Sequence, residues 1–409
     1  MTYGFIVRCA SEIAWDPADT DGLSEDWLDR LLVAVNGQTV VRTPVGVLFA
    51  GANQIERLLA HPALKVPVVE QYELMGVSEA ILERARRVIL GLDGFPHTRL
   101  RRLVSRAFTQ RAVERLAETM RSYLVPRLDG VDGEVDFIDE IVGDYPAAII
   151  GGLLGLPAAD LPHLTSIAQV ITSSQFSLDV DRAHQYLAAA AECDAYLADL
   201  VTSKRQVPAD DILTHLTQVE VEGDSLSDAE IVSLCASLMN AGIDTTRNQI
   251  SLGMTLFARH PEQWNRLRDD RVLVGNAVEE ILRFLPVTPL LTRLNTEALT
   301  FDGVDVPERT YISLGVAAAN RDSTFNSGDA MTFDVSRPNP RHFTFGHGAH
   351  FCVGAALARL EMRELLAQMV SRFGSVEVVG QAPRRSAMGV YGVKNLTLRL
   401  DQLSTVFEY

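Results

Sequence analysis

The chain is expected to fold as a mainly α-helical protein with a small β subdomain, forming one domain over residues 1–409. Three observations predict this. Apolar residues recur at helical spacing over most of the length, punctuated by glycine, proline and aspartate clusters. One helix, from about Asp228 to His260, would span ~45–50 Å at 1.5 Å per residue, enough to cross the whole core. β-Rich segments fall near 38–50, 290–314 and 376–400, with helices between them.

In chain order, the first sixty or so residues carry no motif of their own. Gln38–Val41 and Gly46–Phe49 look like strands on either side of turn-like Thr43-Pro44. The longest uncharged apolar stretch, Pro146 to Ala159, is broken by glycines and prolines. It falls short of the ~20 residues a membrane-spanning helix needs. The long helix opens on Ser227 and Glu230, spaced as a capping box, and Pro261 follows its end. Ile231, Leu234, Cys235, Leu238 and Met239 give it an apolar stripe. Within it lies Ala241-Gly242-Ile243-Asp244-Thr245-Thr246. A mid-helix glycine costs ~1 kcal/mol relative to alanine, and one use for that cost is room for a ligand against the backbone. The acid and hydroxyl that follow need partners if buried. Further on, Glu280 and Arg283 stand at i, i+3, a spacing that is most often a surface ion pair of little energetic consequence. The 290–314 region has turns at Asp302-Gly303 and near Pro307-Glu308, and a last strongly helical segment runs from about Ala355 to Phe373.

Hydrophobic residues make up 47% of the chain, ample for a large core. A net charge of −16 disfavours nucleic acid and anionic membrane as partners. The acidity is uneven: Gly94 to Val113 holds Arg99, Arg101, Arg102, Arg106 and Arg111 and no acid, so either a solvated helix face or a local anionic partner is implied. The N-terminus, with Arg8 and then Ser11, Glu12 and Asp16, has no secretory pattern. Cys9, Cys193, Cys235 and Cys352 form no Cys-x-x-Cys pair, so a zinc site or disulfide framework is not expected and a reducing cytoplasm is.

The most informative segment is Phe345-Gly346-His347-Gly348-Ala349-His350-Phe351-Cys352-Val353-Gly354. It puts one cysteine on a glycine-rich turn just before a helix. Gly348 and Gly354 can take backbone conformations that a Cβ would oppose, letting a large flat ligand approach the main chain. The helix N-terminus favours negative charge, so Cys352 is expected to ionise readily and to be a good thiolate ligand. The competing reading is a buried structural cysteine.

This segment resembles the signature of the cytochrome P450 family of haem-thiolate monooxygenases, which fixes Phe345, Gly348, Cys352 and Gly354. The resemblance covers about the last three quarters of the chain. It implies the cytochrome P450 fold, with the long helix over a haem b (iron protoporphyrin IX) whose iron is ligated by Cys352, and with Phe345, Gly346, Gly354 and Ala241 against the cofactor. A thiolate axial ligand favours O–O cleavage. The 241–246 run matches the family's small residue, Gly, any residue, acid, Thr, Thr. That implies catalytic roles for Thr245, hydrogen-bonding oxygen and water, and for Asp244, helping to bring protons. The family's Glu-x-x-Arg pair matches Glu280 and Arg283, implying a buried structural network, with Arg337 as its third partner. Here the chain departs, since Ser323–Ser327 replaces the usual proline-containing run. His97, Arg101, Arg293 and His350 match positions that hold the haem propionates.

By the same resemblance the basic patch, with Arg359, would receive an acidic ferredoxin. Electrons would come from ferredoxin and ferredoxin reductase, since no flavin or iron–sulfur domain and no Gly-x-Gly-x-x-Gly turn is present. The expected reaction inserts one atom of O2 into an apolar or amphipathic small molecule (terpenoid, steroid, fatty acid or polyketide-like secondary metabolite) in a soluble, monomeric enzyme. Met75, Phe176, Ser237, Leu291, Met388 and Val390 are expected pocket residues. A peroxide-driven or oxidative-coupling haem-thiolate enzyme is a second reading, and a non-catalytic haem sensor a third.

Overall fold

A computed structural model describes residues 11–12, 27–35, 37–43, 46–105, 108, 110–174, 180–221, 223–384 and 390–403. The long helix runs Asp228–Arg259. Its start is fixed as the sequence predicts: Ser227 Oγ accepts from the Glu230 N–H, and a Glu230 carboxylate oxygen accepts from the Ser227 N–H at 2.8 Å. It continues unbroken through Ala241-Gly242. A Cβ on Gly242 would sit 3.4 Å from Ile150, so the small residue permits close packing on the helix Tyr145–Leu154. Helices Leu161–Ser174 and Val180–Gln206 complete this layer around the long helix.

The first two β-rich segments belong to one sheet. Val40–Thr43 and Gly46–Phe49 form an antiparallel hairpin; Gly46–Phe49 then pairs in parallel with Tyr311–Leu314, and that strand pairs antiparallel with Leu291–Asn295. Gly46 makes the parallel junction possible. A Cβ there would lie 2.1 Å from the Tyr311 carbonyl oxygen, at a φ of +148°. Leu299–Phe301 and Val304–Val306 form a separate hairpin whose turn, Asp302-Gly303, has φ +48° and +79°. The third segment pairs Phe373–Val378 with Thr397–Gln402, and a short strand, Gly133–Asp136, adds to its edge. That strand and the helix Trp27–Val35 were not expected from the sequence.

Two apolar cores result among the described residues. The larger lies among the helices, with Leu234, Met239, Leu252, Phe257 and Leu365. The smaller lies between the mixed sheet and the helix Ala52–Leu59, with Val47, Phe49, Ile55, Ile312 and Phe343.

Between helices and sheet sits a buried ionic cluster. Glu280 and Arg283, both 0% exposed, face each other through two bonds of 2.7 Å. Arg283 also donates to the carbonyls of Asn320, Ala330 and Thr332. Arg337 donates to Glu280 at 3.2 Å and to the carbonyls of Ser327, Asp329 and Thr332. The Ser323–Ser327 departure is organised by Asn326. Its side chain donates to Asn320 and Arg341 carbonyls and accepts from the Arg341 N–H, while Phe325 stacks on Phe343 at 4.7 Å. The missing proline is thus replaced by an amide that makes three main-chain bonds.

Candidate active site

The turn before the helix Ala355–Arg372 presents Cys352. Gly346 and Gly348 take φ of +70° and +71°, and the Cys352 N–H closes the turn on the Phe345 carbonyl at 2.8 Å. A Cβ on Gly348 would also crowd the Leu59 carbonyl at 3.0 Å. Gly354 differs from expectation. Its φ is −84°, so no left-handed conformation is needed; a Cβ there would lie 4.0 Å from Cys352 Sγ, and glycine keeps the space beside the sulfur open.

The expected easy ionisation of Cys352 meets an opposing effect. Cys352 is exposed in the structure, yet the protein packed around its sulfur desolvates the thiolate and raises its pKa, and the Gly354 N–H, Arg101 and Arg359 oppose that in part. The helix N-terminus is where the sequence placed it, but desolvation is the larger effect. A bound metal cation reverses the balance, because a coordinating thiol is deprotonated outright.

Four of the predicted polar residues converge near this turn. Arg101 reaches across from the helix Gly94–Ser105 and donates to the Phe351 carbonyl at 2.5 Å. His97, on the same helix, is buried and packs its ring 4.2 Å from that of His350. Burial, with help from His350 and Arg101, lowers the His97 pKa to about 4, so at neutral pH it is an uncharged donor rather than a cation. Arg293 is 5% exposed, and burial lowers its pKa to about 10, which leaves it charged. It donates to its neighbour, the Thr292 carbonyl, at 2.9 Å. His350 Nε2 donates to Asp93 at 2.9 Å. Asp93 was not singled out from the sequence; the available signal was its place as the last acid before an acid-free, arginine-rich stretch.

On the long helix, Ala241 is exposed, and Thr245 donates its hydroxyl to the Ala241 carbonyl at 2.5 Å. Asp244 is buried and ion-paired with Arg247, one turn on. Arg247 was not predicted, although its i, i+3 spacing from Asp244 was visible. Next to it, Asn248 donates to the Asp244 carbonyl at 2.7 Å. Asn248 also abuts Gly392, where a Cβ would come within 1.9 Å of its oxygen. Gln249 bridges the Leu285 carbonyl and the Val287 N–H, both at 2.9 Å, and the Tyr391 N–H bonds the Val287 carbonyl at 2.8 Å. The loop after 389 is therefore docked on the long helix beside Asp244 and Thr245.

Of the expected pocket residues, Phe176 and Met388 lie outside the described residues. Met75 and Val390 pack against the larger core, and Leu291 against the smaller. Ser237 bonds back to the Ser233 carbonyl at 2.7 Å, within its own helix. Arg84 is ion-paired with Asp194 on the helix Val180–Gln206.

The basic patch is less basic than its sequence. Arg99 is held by Asp224 at 2.8 Å and by Glu230, and Arg102 stands 4.0 Å from Asp224. Arg359 grips Glu279 at 2.7 and 2.9 Å and covers the Phe345 ring at 4.5 Å. Burial favours a protonated Glu279, but hydrogen bonds from His342 and Arg359 outweigh it and hold the carboxyl at about 2. Arg106 and the Arg111 side chain are outside the described residues.

A glycine-lined cysteine turn opening a helix that packs on the long central helix, in a mostly helical frame, is an arrangement suited to a thiolate-ligating enzyme. The comparisons agree. The cytochrome P450 family profile matches residues 179–396. The chain is 37% identical over 282 residues to the vitamin D(3) 25-hydroxylase of Pseudonocardia autotrophica, covering 68% of each chain. It is 33% identical over 354 residues to the 6-deoxyerythronolide B hydroxylase of Saccharopolyspora erythraea, covering 84% of this chain and 86% of that one. Cytochrome P450 CYP109Q5 from Chondromyces apiculatus superposes with a TM-score of 0.84 at 25% identity, over 96% of this chain and 99% of that one. The chain belongs to the cytochrome P450 family. It is a monooxygenase of that family, which uses a haem-thiolate cofactor and O2 on a small molecule. Among the described residues, no helix is long and apolar enough to cross a membrane.

Proposed function

We propose that this enzyme binds haem b through Cys352 and hydroxylates or otherwise oxidises an apolar or amphipathic small molecule with electrons from a separate ferredoxin and its reductase. One observation carries the cofactor reading: Arg293, buried and charged, lies with neutral His97, Arg101 and His350 near the cysteine turn. A buried guanidinium with one main-chain hydrogen bond is costly unless an anion joins it. Two porphyrin carboxylates fit that donor set, and a thiolate-ligated iron fits Cys352. The residues present therefore suit the group.

Haem, when bound, supplies the redox chemistry of O2 activation. The chain supplies the rest. Gly354 leaves space beside Sγ, and its N–H hydrogen-bonds the sulfur. Exposed Ala241 leaves the helix surface low, and Thr245 offers a hydroxyl whose own proton is parked on the Ala241 carbonyl. That hydroxyl accepts a hydrogen bond and hands a proton on by rotating. Asp244 supplies protons from within the helix, and it must exchange its Arg247 contact to do so. Relatives named as a vitamin D(3) 25-hydroxylase and a 6-deoxyerythronolide B hydroxylase support a bulky, mostly apolar substrate of the steroid or polyketide kind. The ferredoxin would meet the side bearing Arg102 and Arg359, and a cytoplasmic location suits that supply.

The deciding experiment is the absorbance difference spectrum of the dithionite-reduced protein with and without carbon monoxide. A red-shifted Soret band typical of a thiolate–iron–CO complex is expected. A haem spectrum lacking that band rejects Cys352 ligation, and absence of haem after expression with ample haem rejects the reading. Thr245→Ala is expected to divert reducing equivalents to peroxide or water; unchanged coupling of NADPH use to product removes Thr245 from proton handling.

A further inference from the structure

We propose that Asp93 is a positioning residue of the haem-carboxylate site: it fixes how His350, and through it His97, present their rings, and it adds one negative charge at the cofactor's edge. The inference rests on the haem reading above.

Asp93 accepts from His350 Nε2 at 2.9 Å, with side-chain exposures of 34% and 11% respectively. Hydrogen-bonding one ring nitrogen fixes the tautomer and stops the imidazole rotating, so the other nitrogen faces a set direction. The His350 ring in turn lies 4.2 Å from the His97 ring at an interplanar angle of 34°, so turning one displaces the other. Asp93 directly precedes Gly94, whose φ is +62° and which opens the helix that carries His97 and Arg101. The Asp93–His350 bond therefore ties the start of that helix to the cysteine turn, 257 residues away in sequence. The Arg101 bond to the Phe351 carbonyl is a second tie between the same two segments. Asp93 also acts electrostatically on Arg293 and His97, so its carboxylate lies within the field of the whole cluster. A fixed anion beside the cluster opposes addition of an electron there.

The test uses haem-loaded protein and compares Asp93→Ala, Asp93→Asn and Arg293→Ala. Three quantities are read: the rate of haem transfer to apomyoglobin, the ferric/ferrous potential and the thermal midpoint. Loss of one orienting hydrogen bond should speed haem loss from Asp93→Ala about 3–10-fold. Asp93→Asn keeps an acceptor oxygen and should restore the rate to within about twofold. Both variants remove the charge, so both should raise the potential by a similar amount. Haem loss unchanged in Asp93→Ala but faster in Arg293→Ala overturns the role of Asp93 and leaves the haem site standing. A lowered thermal midpoint with unmoved potential and no rescue by asparagine reduces Asp93 to a structural residue and overturns the proposal equally. Unchanged haem loss in all three variants rejects the haem-carboxylate reading underneath it.

Discussion

The buried charges around Glu280 and those around Arg293 are built in opposite ways. Around Glu280 every charge is answered: two arginines share its carboxylate, and their remaining donors end on main-chain carbonyls. Around Arg293 the partners among the described residues are few: the Thr292 carbonyl and the longer-range influence of Asp93. The first pattern locks chain segments together. The second keeps its hydrogen-bonding capacity for something other than the protein. A third carboxyl, Glu361, shows what burial does with neither solution. It is 1% exposed, one of its oxygens has no hydrogen-bond partner, and burial pushes its pKa well above the usual range, so it is held as the neutral acid.

The comparison breaks most visibly at Glu280. Glu280→Ala should strand two buried guanidiniums and cost ~3–5 kcal/mol, read as a lower denaturation midpoint or loss of soluble protein; a change under about 1 kcal/mol would mean the cluster is not what joins these segments. Cys352→Ser should leave the fold intact yet abolish the thiolate–iron–CO band, and a retained band would put the ligand elsewhere. Arg293→Met should change the stability of haem-free protein by under about 1 kcal/mol, because an apolar group replaces a poorly paired charge. Haem loss should nonetheless quicken, and a stability loss equal to that of Glu280→Ala would erase the distinction between the clusters.

A gentler probe is pH. Burial lowers the His97 pKa to about 4 in the fold, from the 6.5 usual for an imidazole. The unfolded chain thus binds the proton more readily between those values. The contribution of His97 to stability is complete above about 6.5 and is lost as pH falls toward 4. His97→Gln should flatten stability in that window, and an unchanged profile would show that the imidazole is not desolvated. The smallest effect should come from the surface. Neutralising Arg102 should slow reduction by ferredoxin only at low ionic strength, and equal rates at low salt would place electron entry elsewhere.

Much of this architecture was readable because it is local. The long helix carries its own start signal in Ser227 and Glu230, and the cysteine turn carries its own glycines. What escaped depends on distant partners. Nothing near Gly46 says that its strand will lie parallel to Tyr311–Leu314. Gly133–Asp136 is too short for periodicity to single out and exists because Thr397–Gln402 offers it an edge. Arg337 was legible as a network residue, but its carbonyl partners were not. Arg99 read as a free surface cation because Asp224 and Glu230 lie more than a hundred residues away. At Cys352 the helix terminus is written in the sequence, and the desolvation that opposes its effect is not.

The contact between Gly392 and Asn248 bears on how this enzyme could diversify. Any side chain at 392 collides with the long helix next to Asp244, so that position is closed to sequence drift unless Asn248 changes with it. Val390, two residues earlier and half-buried, has no such lock. Mutational searches for altered substrate range should therefore vary Val390 freely and treat Asn248 and Gly392 as a single heritable unit.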